Sequence, residues 1–509
     1  MVIKSRTMHS TLNLASSFGK QIITLILGFI SRWFFIKILG ASYLGINGLF
    51  ANIISVLSMA DLGFGSAIVY SMYKPLAENN HKKLAALLQF YKRVYRVIAF
   101  LITVIGLALI PFLKYLINLE NPIDNVYIYY VLFLLNVVIS YLYSYKMCII
   151  SADQKDYLLN IYSFVFSIIQ FILQLIVLFT LKNYIVYLAV QIICSFGCNI
   201  FSSKKAVKNY PYIVNKETLS LEEKKEISKN IKSMFLYKVG GVLLNNTDNI
   251  LISTIIGTIT VGIYSNYSMI VQSVDTFARM FFSSINAGIG NLSVNESIEY
   301  QFEIYKVVDF VAYMIFGFCS ICLYVLMGDF IEICYGAEFR LQSIVCIIIV
   351  INFYMPGSIS ANSIFRNATG MFKQMRYLLL VTCIINLILS VILGIRYGLF
   401  GVFTATAVAR LITNMWYEPL ILYKRYFHHS VRDYVITHIF RDAILICIML
   451  VVNFICGMYT SLSIAIFFSK TCICVCLTIS MLIAIYWKSN EFIFLRKRIK
   501  DILEQINKN

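Results

Sequence analysis

About fourteen runs of close to twenty mostly apolar residues follow one another along this chain, and a fold surrounded by water has no place to hide them. They centre near Leu25, Leu57, Val104, Leu135, Ile169, Ile193, Leu244, Val271, Ile315, Ile351, Leu387, Ala407, Val451 and Val475. Twenty helical residues rising 1.5 Å each cross the ~30 Å hydrocarbon core of a bilayer. A β-barrel would show an alternating pattern, which is absent, and only helices or closed barrels satisfy their backbone polar groups in lipid. Composition agrees: the chain is 60% hydrophobic and 13% charged, with a mean hydropathy of +0.78, whereas soluble domains carry roughly 25% charge. The expected class is an all-α integral membrane protein of about 14 transmembrane helices.

Charge then orients the spans. Assigned alternately, Lys and Arg gather on one side at Lys4, Arg6, the Lys74 to Arg96 segment, Lys155, the Lys204 to Lys232 segment, Lys306, Arg366 to Arg376, Lys424 to Arg441 and Lys488 to Lys508. The other side holds only Lys37, Lys114, Lys182, Arg340 and Arg396. The positive-inside rule makes the first side cytoplasmic, with both termini on it. The net charge of +18 is thereby explained as topology, with no call on nucleic acid, and the basic segments suit membrane lipids. Residues 10–38 carry Lys20 and Arg32 and end without a small-x-small pattern, so they read as the first span and not as a cleaved signal.

Within this array the sequence repeats. "ILGASYLGI", Ile38 to Ile46, matches "IIGTITVGI", Ile255 to Ile263, and "KDYLLNIYSFVFSIIQFIL" from Lys155 resembles "MRYLLLVTCIINLILSVIL" from Met375, at offsets of 217 and 220 residues. Each repeat holds six spans, an even number, so both enter from the same side and are expected to be related by a pseudo-two-fold along the membrane normal. The expected organisation is an N-lobe over 1–203, a cytoplasmic linker over 204–232, a C-lobe over 233–425, and two further helices with a tail over 426–509. In the linker, Ser220 followed by Glu223 is a capping-box signature. In Lys74 to Arg96, Leu84, Leu87, Leu88 and Tyr91 share one helical face, which reads as an interfacial amphipathic helix.

Polar residues are concentrated in the first two spans of each repeat. Asn13, Ser16, Ser17, Lys20, Thr24, Gly28 and Ser31 recur at three- or four-residue steps and draw one stripe along the first helix. The second span carries Asn47, Ser55, Ser58, Asp61 and Gly65; the seventh Lys238, Gly241, Asn245, Asp248 and Asn249; the eighth Ser265, Ser268, Gln272, Asp275, Arg279, Ser283 and Asn286. The third, ninth, thirteenth and fourteenth spans read as almost wholly apolar. A charge facing lipid at mid-depth costs ~3 kcal/mol, so Lys20, Arg32, Asp61, Lys146, Lys238, Asp248, Asp275, Arg279 and Arg410 are expected to pair or to face a watery cavity. Six cations against three acids make that cavity one for an anion. Asp61 falls at a depth between Lys20 and Arg32, roughly 9 Å from each by helix rise, and reads as their counter-ion. Asp275 and Arg279, four residues apart on one helix, also suit mutual neutralisation.

The thirteen cysteines are scattered through apolar helices and read as small packing residues; Cys472, Cys474 and Cys476 alternate and cannot converge on one metal. "SFGKQ" lacks the leading glycine and the Ser or Thr of a phosphate-binding loop. No ATPase motif, catalytic constellation or cofactor site is evident, so the expected activity is transport and not catalysis.

The segments "LGASYLGINGLFANIISVLSMADLGFGSAIVYSMYKPLAE", "NNTDNILIS", "GIYSNYSMIV" and "YGLFGVFTATAV" resemble the polysaccharide repeat-unit flippases (Wzx type) of the multidrug, oligosaccharidyl-lipid and polysaccharide exporter (MOP) superfamily. The resemblance spans nearly the whole chain. It implies a bacterial inner-membrane protein of two lobes that moves undecaprenyl-diphosphate-linked oligosaccharides to the outer leaflet by alternating access, beside a polysaccharide polymerase and glycosyltransferases. By helix and chemistry it places diphosphate binding on Lys20, Arg32 and Arg279, to which the charge of the expected cavity adds Lys238; Asp61, Asp248 and Asp275 are the acids available to a coupled cation, and Asn245, Asn249 and Gln272 are the candidates for glycan contact. A lipid II flippase and a multidrug cation antiporter of the same superfamily are the alternatives.

Overall fold

The computed structural model describes residues 2–61, 64–119, 123–215, 217–369, 371, 377–459 and 463–508. Helices dominate these residues, and no strand occurs among them. They are α1 (Val2–Leu39), α2 (Ala41–Leu57), α3 (Phe64–Ala77), α4 (His81–Ala108), α5 (Val126–Ala152), α6 (Asp156–Thr180), α7 (Tyr184–Asn209), α8 (Leu221–Ile255), α9 (Thr258–Asn295), α10 (Ile298–Tyr335), α11 (Ser343–Ser358), α12 (Ser360–Ala368), α13 (Leu378–Ile412), α14 (Asn414–Ile421), α15 (Val431–Gly457), α16 (Ile464–Tyr486) and α17 (Asn490–Lys508).

Each expected span centre falls on or beside one of these helices. Ten helical stretches among the described residues are long and apolar enough to cross a membrane. One of them, Leu378–Phe427, holds two expected spans, separated where Gly398 adopts φ 59° inside α13. The spans centred near Leu57, Leu244 and Val271 lie on α2 with α3, on α8 and on α9, and are not among the ten. These are three of the four spans that the sequence marks as polar. α2 is apolar but, at 17 residues, shorter than any of the ten, whereas polar residues lower the mean hydropathy of the long helices α8 and α9. The chain is a multi-pass helical membrane protein.

Two compact units divide the chain, Met1–Gly262 and Ile263–Asn509. In the first, α1 packs on α6, α4 and α7 on α5, α6 on α7, and α2 on α8. The apolar face of α4 is buried here: Leu84, Leu87, Leu88 and Tyr91 are at most 1% exposed. The interfacial reading of that segment is therefore corrected. A period of 3.6 shows that one face is apolar, and protein covers this one as well as lipid would. Ser220 and Glu223 form the capping box at the start of α8, which then runs unbroken to Ile255, so the end of the linker and the seventh span are one helix. Glu223 also pairs with Lys83 of α4 at 2.9 Å. The Lys83 ammonium, followed by the Ser220 amide, holds its carboxyl below the usual range.

The repeated nonapeptides meet within the first unit. Gly40 (φ 91°) and Gly257 (φ 141°) turn the chain into α2 and α9 at equivalent positions of the two copies, where an L side chain would be strained. Five residues on, a Cβ on Gly45 would stand 2.1 Å from the Thr258 carbonyl oxygen, and one on Gly262 would stand 2.7 Å from that of Ala41. Thr258 is also fastened to the segment after α4. Its amide donates to the Asn118 carbonyl at 2.8 Å, its Oγ1 accepts from the Asn118 amide at 2.9 Å, and it lies 2.8 Å from the Ser253 hydroxyl.

In the second unit, α10 is the hub, packed by α11, α15, α16 and α17. Its core joins Phe310, Tyr313, Ile321 and Val325 to Leu445, Ile448 and Val452 of α15 and Cys474 and Leu482 of α16. The expectation that the ninth, thirteenth and fourteenth spans are almost wholly apolar is overturned. Asp309 of α10 accepts from Arg441 of α15 at 2.7 Å and lies 3.2 Å from His438; all three are less than 10% exposed. Asp442 accepts from the Tyr354 hydroxyl at 2.6 Å, and Glu491 of α17 reaches Arg441 at 3.7 Å. Further along α10, Asp329 pairs with Lys470 of α16 at 2.5 Å and with Arg340 at 3.2 Å. Arg366 of α12 pairs with Glu418 of α14, both 4% exposed. These charges were hard to read because each lies in a long apolar run and its partner is remote in sequence, by 132 residues for Asp309 and Arg441.

Candidate functional site

A cleft of about 270 Å³ opens within the first unit between α1, α2, α6 and α7. From α1 come Thr24, Leu27, Gly28, Ser31, Arg32 and Phe35; from α2, Leu44 and Asn47. Ser167, Gln170, Phe171 and Gln174 line it from α6, and Tyr187 from α7. The α1 residues belong to one stripe because positions three and four apart on a helix share a face. The lower part of the same stripe is closed by hydrogen bonds: Asn160 of α6 donates to Ser16 at 3.2 Å and to Ser17 at 3.0 Å, and Asn13 donates to the Gln154 carbonyl at 2.7 Å while accepting from the Tyr157 amide at 2.8 Å. One end of the stripe thus joins α1 to α6, and further along the stripe lines the cleft, beyond which Phe34 of α1 meets Phe179 of α6 edge-on at 5.0 Å between ring centres.

The polar groups around the cleft are loosely joined. Gln170 donates to Gln174 at 3.3 Å, Gln174 donates to the Tyr187 carbonyl at 3.3 Å, and Ser31 lies 3.4 Å from the Tyr187 hydroxyl. Asn47 accepts from Tyr184 at 3.1 Å. Tyr184 and Tyr187 are held in turn by edge-on contacts with Phe35, at 5.6 and 5.3 Å between ring centres. Among the described residues of this lining Arg32 is the one charged residue, and none is a carboxylate.

The other candidate residues are placed as follows. Lys20 is half-buried on α1, about 18 Å of helix rise from Arg32. Asp248 and Asn249 are half-buried on α8, and Asn249 holds a buried Oδ1 with no hydrogen-bond partner among the described residues. The side chains of Asp61, Lys238 and Asn245 lie outside the described residues. In the second unit Arg279 Nε donates to both oxygens of Asp275, at 2.8 and 2.7 Å, and its guanidinium sits 5.9 Å from the Phe316 ring centre. Gln272 is exposed and donates to Ser268 at 2.8 Å. Lys146 lies beside Tyr145, and Arg410 donates to the Asn352 carbonyl at 2.8 Å. Among the described residues no group of His, Cys, Asp and Glu is arranged to hold a metal ion.

No protein-family model matches the sequence, and no curated protein matches it either. Solved structures do. The lipid II flippase MurJ, in an inward closed conformation, superposes with a TM-score of 0.67 at 16% identity over 93% of this chain and 98% of its own. A mutant of the Vibrio cholerae MATE transporter VcmN gives 0.58 at 15% identity over 84% and 100%. An inward-facing multidrug resistance MATE family transporter of the MOP superfamily gives 0.53 at 11% over 78% and 95%. The chain shares the fold of these transporters.

On this fold the described lining of the cleft combines hydroxyl and amide hydrogen-bonding groups, aromatic faces and one guanidinium, a set that suits a polar or anionic solute. The α6 and α7 contributors were not singled out from the sequence. A signal for α6 existed: Asn160, Ser163, Ser167, Gln170 and Gln174 follow the same three- and four-residue steps that marked α1. Tyr187 had none, because a tyrosine in an apolar span looks the same whether it lines a cleft or fills a core.

Proposed function

We propose that the chain is a polysaccharide repeat-unit flippase of the Wzx type. It carries undecaprenyl-diphosphate-linked oligosaccharides for capsule, O-antigen or exopolysaccharide across a bacterial inner membrane, by alternating access between lobes at 1–203 and 233–425, with both termini cytoplasmic. The observation that carries this reading is the cleft itself: a fold shared with MurJ and MATE transporters whose first unit presents Arg32 among neutral side chains, with no carboxylate among the described residues of the lining. Arg32, with Lys20, Lys238 and Arg279, supplies positive charge for the diphosphate. Asp61, Asp248 and Asp275 are the acids available to a coupled cation. The lipid tail stays in the bilayer while the head group crosses, and a polymerase and glycosyltransferases act on either side of the step.

A second reading, a lipid II flippase, is favoured by the MurJ likeness, which runs through 93% of the chain. A multidrug cation antiporter draws support from the MATE likeness, but a cationic drug asks its pocket for an acid, and the described residues of this lining include none. Lipid extracts of a deletion strain, analysed for the leaflet and mass of undecaprenyl-diphosphate glycans, test all three. Inner-leaflet repeat units with loss of surface polymer and normal peptidoglycan support the proposal. Accumulated lipid II with normal surface polymer replaces it with the second reading, and unchanged pools of both with a new drug sensitivity replace it with the third.

A further inference from the structure

We infer that the cleft between α1, α2, α6 and α7 is a subsite for a single pyranose ring, held by the amide pair Gln170 and Gln174. The inference rests on the flippase reading and names which part of the substrate this cleft takes. Size is the first argument. At about 270 Å³ the cleft falls below the ~300–1,000 Å³ of pockets that enclose drug-sized ligands, so it has room for one ring and not for an oligosaccharide with its diphosphate.

Hydrogen bonding is the second argument. The bonds from Gln170 to Gln174, from Gln174 to the Tyr187 carbonyl and between Ser31 and Tyr187 measure 3.3, 3.3 and 3.4 Å, longer than the ~2.8–3.0 Å at which such bonds are strongest. A sugar hydroxyl donates and accepts at once, so vicinal hydroxyls seated beside this chain of amides form shorter bonds than the side chains make with each other. Phe171, one position from Gln170, supplies an apolar surface against which the carbon face of a ring packs. The third argument is charge. Among the described residues of the lining Arg32 is the one cation and the other polar groups are neutral, so the neutral groups suit the ring and Arg32 is left to meet the diphosphate beside it.

The test uses the full-length protein in lipid nanodiscs and saturation-transfer NMR, which reads weak binding. The probes are methyl α-D-glucopyranoside, methyl α-D-galactopyranoside and methyl N-acetyl-α-D-glucosaminide, one at a time. At least one glycoside is expected to receive saturation on its ring protons. Gln170→Leu and Gln174→Leu should each lower that signal at least about fivefold, the worth of one hydrogen bond, whereas Lys182→Gln should leave it unchanged. Should a leucine variant fail to fold, Gln170→Asn, which withdraws the amide by one methylene, takes its place. Absence of ring signal from all three glycosides, or signal that survives both leucine variants, overturns the subsite. Inorganic pyrophosphate, followed by broadening of its phosphorus resonance, reads the flippase proposal separately. Broadening that Arg32→Ala abolishes and Gln170→Leu retains keeps that proposal standing when the sugar result is negative. Absence of broadening beside an intact sugar signal keeps the subsite and removes the diphosphate role.

Discussion

The two units treat polar side chains in opposite ways. In the second, charges are joined in pairs and small clusters: Asp309 with Arg441 and His438, Asp329 with Lys470 and Arg340, Arg366 with Glu418, and, more exposed, Asp275 with Arg279. In the first, the polar groups described around the cleft are hydroxyls and amides joined by long hydrogen bonds, with a guanidinium and no acid among those described. Close pairing fixes helices to one another, because breaking a buried pair strands a charge. Loose pairing leaves hydrogen-bonding capacity for a visitor. The first unit therefore reads as the half that recognises, and the second as a half whose charges brace α10 against α15 and α16.

The contrast can be tested by substitution, beginning where the effect is greatest. Asp309→Ala leaves Arg441 buried without its closest partner and should lower stability by about 3–5 kcal/mol, seen as the largest drop in the thermal unfolding midpoint of the purified protein. Asp309→Leu combined with Arg441→Met should recover most of that loss; a midpoint indifferent to Asp309→Ala would show that pairing does not brace this unit. Gly45→Val drives a side chain into the Thr258 carbonyl and should cost about 3 kcal/mol in the same assay. Arg32→Ala should cut surface-polymer export at least about tenfold, the equivalent of ~1.4 kcal/mol, while the midpoint holds. Arg279→Ala removes an exposed pair four residues apart on one helix, worth about 0.5 kcal/mol or less. Its export defect should be smaller than that of Arg32→Ala, because Arg32 lines the cleft; an equal defect would break the comparison by giving the second unit a working cation.

The smallest effect belongs to pH. Lys83 holds the Glu223 carboxyl below its ordinary value of 4.5, so the pair stabilises the start of α8 at neutral pH and loses that contribution as acid protonates Glu223 below 4.5. Glu223→Gln should flatten this part of the acid limb in a pH series of unfolding midpoints. An acid limb identical to wild type would show that the pair adds nothing.

Helical architecture was legible because run length and hydropathy answer directly to bilayer thickness, and because Gly40 and Gly257 mark matching turns. The stripe on α1 was legible as a stripe, but not its division: the same three- and four-residue spacing carries Asn13, Ser16 and Ser17 into contacts around α6 and Thr24, Gly28 and Ser31 into a cleft. Periodicity names a face and is silent about what covers it. The same silence explains Leu84, Leu87, Leu88 and Tyr91, which protein buries. Pairing partners were the least legible feature, since nothing near Asp309 in sequence announces Arg441.

The glycine contact between the repeated nonapeptides has the logic of an isologous interface. Gly45 faces Thr258 and Gly262 faces Ala41, and Thr258 occupies in the second copy the position that Ala41 holds in the first. In a homodimer with this contact a single substitution would strike both sides of the axis together. Joining the copies in one chain frees each side to change alone. Thr258 shows the result: it keeps the close approach to Gly45 and adds hydroxyl bonds to Asn118 and Ser253, bonds for which the methyl side chain of Ala41 has no atom. Covalent duplication has here let a symmetric contact become an asymmetric one.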